Sequence, residues 1–425
     1  MRKHSKLEPA VPSPPAVSPG PRVLVATHSH PRYVKGGAEL AAYTLYEHLR
    51  REGREAWFLG CVRGIGPQRT GATLSQPTGE REYLYSAGEF DWFKFANRDP
   101  KFPAEFRRLL ETLQPTVVHF HHYLNFGVEA FLHVKETLPN CKVVLTLHEY
   151  LAICNHYGQM VTRERQVLCH EATPDRCSRC FPEIPPTDFF LRKHYVQQFF
   201  ALVDHFISPS EFLAARYRAW GVPAHKLSVI ENVMPPVGPA LAPPRPLPDE
   251  GTPLRVGFFG QISHLKGINV LLEAAAILAE QRQYGVTFEI HGDYSGQPPE
   301  FQKDYLERLA KVGRNVKYYG PYESERVDAL MRQVDVVLVP SIWWENSPLV
   351  IQEALRNGVP ILCSDIGGMA EKVRDGIDGM HFPMGNPVAL AQRLLAQSLK
   401  RGGQVGASPP ASPSIAYAQH EAVYR

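Results

Sequence analysis

The chain has no apolar run of about 18 residues, the length a membrane-spanning helix needs, so none is expected. Its first residues, MRKHSKLEPAVPSPPAVSPGP, are basic and then Pro/Ser-rich, with no apolar core. They read as a disordered tail over 1–20 rather than a secretory leader. No run of lysine or arginine occurs, no basic residues interleave with aromatics, and the net charge is only +3, so nucleic acid is not an expected partner. A pI near 8.4 allows loose attraction to an anionic membrane surface. Cysteine is scarce and odd in number, seven in all. Without an export signal that points to a reducing cytoplasm, with a peripheral position at the inner face of the membrane as an option.

What is there fits a soluble globular protein. Hydrophobic residues make up 44% and charged residues 21% of 425, enough for two domains of about 200 residues each. The rest of the chain is organised around residues 335–371, DVVLVPSIWWENSPLVIQEALRNGVPILCSDIGGMAE. Val336–Val339 reads as a buried parallel strand and 340–347 as its exit loop. Ser347 then caps a helix with Pro348 at its first position. Leu349, Ile351, Ala354 and Leu355 carry that helix to the stop signal Asn357-Gly358. Val359–Cys363 is the next strand, and Gly367-Gly368 opens another helix.

Glu345 lies in the loop and Glu353 eight residues later, about one and a half turns into the helix. Both fall near the carboxyl end of a parallel strand, where open α/β sheets bind ligands. The helix N-terminus suits a phosphate, and carboxylates beside it suit sugar hydroxyls. An anion and several hydroxyls at one place point to a nucleotide sugar. The plainer alternative is one loop carboxylate and one solvated helix residue.

Strand and helix alternate from the start. Arg22–Thr27 is a strand, a polar loop follows over 28–35, and Gly36-Gly37-Ala38-Glu39 opens a helix carrying Leu40, Tyr43, Leu45 and Leu49. That anatomy suits a phosphate-binding turn, with a plain tight turn as the alternative. Ala56–Cys61 is a strand, residues 62–80 are uninformative, and Pro103–Leu113 is an amphipathic helix. Val117–His122, VVHFHH, is a strand with its exit loop. Its histidines match no recognised metal spacing and read as polar groups lining a cleft. Val143–Leu147 is a strand ending in His148-Glu149-Tyr150. Thr187–Val203 is a helix whose aromatic stripe packs in a core, with a membrane-facing role as the alternative. His205–Pro209 and the segment 229–233 close a first domain over 21–234.

Cys154, Cys169, Cys177 and Cys180 fall within 27 residues, in an insertion of about 151–185. Cys177-Ser178-Arg179-Cys180 is a C-x-x-C pair, which can hold two corners of a tetrahedral Zn2+ site. A structural zinc on this pair with Cys154 and Cys169, or with His156 or His170 as substitutes, is the expectation; free thiols or a disulfide are the alternatives, and four thiolates would leave no open catalytic position.

The Pro-rich segment 235–253 reads as a semi-rigid linker. A second domain over 254–400 restarts the pattern. Leu254–Gly260 is its first strand, and Gln261–Gly267 leads into a helix from Ile268. Lys266-Gly267 places an ammonium beside that helix N-terminus, where it can meet a diphosphate. Further strands start at Thr287 and Val316, a helix spans Glu325–Val334, and another spans Val388–Leu399. Residues 401–414 form a second linker and Ile415–Arg425 a last helix. The repeated βα alternation predicts two Rossmann-like parallel-sheet domains facing an interdomain cleft.

The string Pro340-Ser341, Glu345, Ser347-Pro348, Glu353-Ala354, Gly358-x-Pro360 and Gly367-Gly368-x-x-Glu371 resembles the E-x7-E segment of retaining glycosyltransferases of the family 4 type. The resemblance covers most of 22–395, including GGAE at 36–39 and the strand-end His148. It implies the GT-B architecture and transfer of a sugar, with retention, from a nucleoside diphosphate to a glycan or lipid-linked acceptor. Cell-surface polysaccharide assembly is the implied setting. Glu353 would hold the ribose and Glu345 the sugar, together with Asn346 and Ser347. Lys266 and the amides of Gly36, Gly37, Gly367 and Gly368 would stabilise the leaving diphosphate, and His148 would position the sugar. Gln261 stands where the family has an arginine, so it can offer only a neutral amide. The C-terminal helix would return to the first domain. No catalytic metal is implied, and no Asp-x-Asp pair stands at a strand end. A nucleotide-sugar epimerase and an inactive metal-containing binding protein remain as alternatives.

Overall fold

The computed structural model of the chain describes residues 20–34, 36–64, 72–235, 252–399 and 413–425. The expected N-terminal tail, the Pro-rich linker and the connection over 401–414 fall almost wholly outside them, as does Lys35 of the first loop.

Two sheets organise these residues. The first has eight strands in the order Leu227–Val229, His205–Ser208, Lys142–Thr146, Val117–Phe120, Val23–Thr27, Ala56–Val62, Glu82–Ser86, Leu74–Gly79. All pair in parallel except the last, which runs antiparallel to Glu82–Ser86. Its central strands are apolar without alternation because helices cover both faces; all of Val23–Thr27 and Ala56–Val62 is buried.

The second sheet has six parallel strands in the order Val316–Gly320, Val286–His291, Leu254–Phe259, Val336–Val339, Ile361–Ser364, Gly379–Phe382. Counted along the domain this is 3-2-1-4-5-6. The order reverses between Leu254–Phe259 and Val336–Val339, so their exit loops part and leave a crevice at their carboxyl ends. The first sheet has its own reversal between Val23–Thr27 and Val117–Phe120. The two crevices face each other.

Residues 413–425 return to the first sheet. The hydroxyl of Tyr424 lies 2.7 Å from His119 Nδ1, Glu421 pairs with Arg54 at 3.0 Å, and Tyr417 stacks on His48. Ala416, Tyr417 and Tyr424 join the apolar cluster of Val23, Val25 and Val117.

Several elements differ from the sequence-based expectation. The uninformative segment 62–80 holds the edge strand Leu74–Gly79, half exposed and interrupted by Pro77, a pattern too weak to read as a strand. Helices Ala130–Thr137 and Pro299–Lys311 were not anticipated, and the turn-rich stretch after Glu371 contains the strand Gly379–Phe382. The helix expected over Glu325–Val334 is regular only at Val327–Met331.

Candidate active site

Between the facing crevices lies a cleft of about 860 Å3. Lys266 and Glu345 meet in it. The Lys266 ammonium donates to Glu345 Oε1 at 2.6 Å, and the same oxygen accepts from Ser341 Oγ at 2.8 Å and Trp343 Nε1 at 2.9 Å. Glu345 is buried, while a third of the lysine side chain remains exposed. The spacing between Lys266 and Glu345 closes because Gly267 lets two loops touch. Its φ is +74°, and a Cβ there would lie 1.8 Å from the Pro340 carbonyl oxygen. Gln261 also lines the cleft, exposed.

Glu353 lines the same cleft from the helix Leu349–Arg356, whose first turn opens on it. Burial pushes its carboxyl up to about 7; Arg356 opposes the shift and Asp328 adds to it. Among the described residues, no side chain donates a hydrogen bond to that carboxyl.

The loop between the two glutamates is held by the first domain. Asn346 Nδ2 donates to the main-chain carbonyl of His148 at 2.6 Å. The Ser347 hydroxyl donates to Glu231 Oε1 at 2.6 Å, and Gln352 donates to the same oxygen. Ser347 therefore does not cap the helix, which starts at Leu349 with Pro348 as its N-cap. Gly367 and Gly368 require a larger correction, since neither lines the cleft. Gly368 N–H donates to the Glu345 carbonyl at 2.7 Å, and a Cβ there would lie 1.7 Å from the Asn346 carbonyl oxygen. The two glycines allow close backbone approach under the loop, so the Gly368 amide is not free for a diphosphate.

On the first-domain wall, Gly36 and Gly37 open the helix Gly37–Arg51 and line the cleft. Gly37 faces Leu349 across it, with room for no more than an ordinary contact. His28 lies 3.1 Å from Glu39, whose carboxyl His28 helps hold below its usual range against burial. His148 stands at the strand end as expected; its Nε2 is 3.1 Å from His121 Nδ1, and burial drops it to about 3, so the ring is neutral.

None of the four cysteines of the insertion forms a disulfide. Cys154, Cys169 and Cys180 all act electrostatically on Cys177, which burial raises to about 12. Among the described residues, however, no three His, Cys, Asp or Glu side chains are arranged to hold a metal ion. The insertion does something the sequence did not signal. Its Cys169 carbonyl accepts from Trp344 Nε1 at 3.0 Å, and Trp344 packs against Phe212, His170 and Arg216.

Sequence reasoning also missed Glu231, which lay in plain view at the end of the first domain. Its value depends on Ser347, Gln352 and Lys372, residues more than a hundred positions away.

Residues 35–236 match the family profile "Glycosyltransferase Family 4" and residues 244–400 match "Glycosyl transferases group 1". The chain belongs to the GT-B glycosyltransferases of the family 4 type. Among its relatives is the putative colanic acid biosynthesis glycosyltransferase WcaL of Escherichia coli (strain K12), 30% identical over 213 residues, 48% of this chain and 51% of that protein. A D-inositol 3-phosphate glycosyltransferase of Corynebacterium urealyticum is 35% identical over 143 residues, 33% of each chain. The matched stretches thus span about half of the first relative and a third of the second. Among solved structures, Anabaena Alr3699/HepE in complex with UDP-glucose superposes with a TM-score of 0.60 at 16% identity, over 94% of this chain and 98% of that one. Sucrose-phosphate synthase from Thermosynechococcus elongatus gives 0.65 at 16% identity, over 95% and 98%. At such identity the likeness establishes the fold, and the two crevices of this family 4 chain carry the argument about chemistry.

Proposed function

We propose that this chain moves a sugar, with retention, from a nucleoside-diphosphate sugar to a hydroxyl of a glycan or lipid-linked acceptor in cell-surface polysaccharide assembly. The observation that carries the proposal is the Lys266–Glu345 pair at the switch point of the second sheet, with Glu353 in the same cleft. Lys266 supplies positive charge for the leaving diphosphate, as does the first turn of the helix Leu349–Arg356. Glu345 receives sugar hydroxyls at its second oxygen, the first being filled by three donors. Glu353 receives ribose hydroxyls. Gly36, Gly37 and Asn346 place the donor between the domains, and neutral His148 presents a ring to the sugar. Sharing one oxygen among three donors makes Glu345 a poor nucleophile, so the work falls to positioning and charge. The colanic acid relative supports the polysaccharide setting. An acceptor-dependent product separates this reaction from epimerisation.

A panel of UDP-, GDP- and ADP-sugars, read by thermal shift and by nucleotide release, tests the proposal. Lys266→Ala and Glu345→Ala should each weaken binding or turnover of the best donor by at least about tenfold, the effect of one charge-assisted hydrogen bond. Unchanged binding and turnover in both variants would overturn the site.

A further inference from the structure

The donor cleft is not the only cavity among the described residues. Another, of about 520 Å3, opens on the first domain beside the helix Gly37–Arg51. The helix forms one wall, and the turn between the strands Leu74–Gly79 and Glu82–Ser86 forms the other. The same helix borders the donor cleft. Gly36, Gly37 and Leu40 line that cleft, whereas Tyr43, Tyr46, Glu47 and Arg50 line the second cavity. At about 100° per residue, Leu40, Tyr43, Glu47 and Arg50 fall within about 80° of helix surface. They form one stripe, about 15 Å long, that leads from the mouth of the cleft into the cavity.

The cavity offers charge of both signs. Arg50 and Arg81 line it together with Glu47 and Glu80, and among the described residues none of these four side chains forms an ion pair. Its floor is aromatic. Tyr43 is half-buried, with its ring edge-on to Phe58 and its hydroxyl donating to Glu82 Oε1 at 2.9 Å. The other Glu82 oxygen lies 3.4 Å from His30 Nε2, which ties the cavity to the loop that precedes Gly36. A phosphate would call for charge of one sign. Sugar hydroxyls instead both donate and accept, and a sugar ring has an apolar C–H face that can lie on an aromatic ring. Guanidinium, carboxylate and tyrosine around one groove meet all three demands.

We propose that this cavity is a second carbohydrate subsite, which holds the sugars of an acceptor chain that lie behind the one being extended. The inference rests on the glycan-acceptor reading above and narrows it to an oligosaccharide rather than a free monosaccharide. The terminal sugar enters the cleft beside Gly36 and Gly37. The preceding sugars follow the stripe past Leu40 to Tyr43, where Arg50 and Arg81 donate to their hydroxyls and Glu47 and Glu80 accept from them. One helix carries both places, so holding the chain at the second raises the effective concentration of its end at the first.

Calorimetric titration of the full chain with maltotetraose, cellotetraose and chitotetraose, each beside its own monosaccharide, tests the subsite. At least one tetrasaccharide should bind about tenfold or more tightly than its monosaccharide, because only the longer chain reaches both places. Arg50→Ala and Glu47→Ala, both on the exposed side of the helix, should keep the melting temperature. Each should weaken that tetrasaccharide by about tenfold, the effect of one hydrogen bond to a charged group, and leave the nucleotide-sugar Kd where it was. The subsite is overturned if no tetrasaccharide binds more tightly than its monosaccharide, or if both substitutions leave the preference intact. Inorganic phosphate that binds the wild type and not Arg50→Ala, in place of any tetrasaccharide, would overturn it in favour of an anion pocket. A wild type that binds a tetrasaccharide in this way but no nucleotide sugar would sink the donor reading and leave the carbohydrate subsite standing.

Discussion

Residue by residue, the donor wall pairs a satisfied carboxylate with a hungry one. Glu345 is filled at one oxygen by lysine, serine and tryptophan, whereas Glu353 is desolvated with no side-chain donor among the described residues. At pH 6 most Glu353 carboxyls carry a proton, which must leave before ribose hydroxyls can donate to them. Donor affinity should therefore fall by up to tenfold per unit below pH 7, with about one proton released per donor bound at pH 6. Titration calorimetry in two buffers of different ionisation enthalpy measures this directly. Glu353→Gln should erase the pH dependence and weaken binding at pH 8 by roughly 10- to 100-fold, from hydrogen bonds to a charged group worth about 1.5–3 kcal/mol. Equal affinity at pH 6 and pH 8 in the wild type would remove Glu353 from the ribose. The two glutamates were legible in the sequence because their spacing survives in one loop and one helix. Glu149 was not singled out: a carboxylate next to a histidine is common, and the burial that raises its carboxyl to about 7 arises only in the folded chain, where Tyr217 on a later helix donates to its main-chain carbonyl.

At the scale of elements, the loop 340–348 is a part of the second domain built into the first. Trp344 is buried within the first domain's apolar cluster. Below it, the Glu371 carboxylate accepts from the N–H groups of Glu211 and Phe212 at 2.9 and 2.8 Å, capping the first domain's helix Glu211–Trp220 from the other side. Lys372 bonds Glu231 at 2.6 Å and the Pro209 carbonyl at 2.7 Å. Trp344→Ala should cost about 3–5 kcal/mol, the range for removing a buried large aromatic, and raise the donor Kd because Glu345 and Asn346 ride on the same loop. Trp344→Phe should keep most of the stability yet lose the bond to Cys169. Denaturant melts and donor titrations of both variants check this; a donor Kd unmoved in Trp344→Ala would free the loop from the insertion. The strands and helices that make the crevice follow from apolar runs, caps and glycines that act locally. The clasp could not be read that way: Trp343 and Trp344 are adjacent and alike in sequence, yet one donates to Glu345 and the other to Cys169. Only the meeting of two domains tells them apart.

For the molecule as a whole, the titratable groups it buries set how its stability responds to pH. Burial holds His119, His121, His122, His148 and His420 below their usual range, with His148 at about 3 and His420 at about 4. In the unfolded chain each takes up a proton near 6.5. The stability gained from keeping them neutral is complete above pH 6.5 and drains away as pH falls toward their folded values. Glu149 and Glu353, raised to about 7, act in the opposite sense: their contribution is full below 4.5 and gone above 7. Five histidines outweigh two carboxyls, so the melting temperature should fall between pH 7 and pH 5. The C-terminal helix is part of this balance. It supplies His420 and covers His119, to which Tyr424 is bonded. Deleting residues 413–425 should lower the melting temperature at pH 7.5, where the packing of Tyr417 and Tyr424 is lost, and lower it by less at pH 5.5, where His119 no longer resists protonation. Scanning calorimetry of both chains across this range measures the two slopes. A wild-type melting temperature that rises on acidification, or a truncation whose penalty is the same at both pH values, would show that these histidines do not govern the acid response.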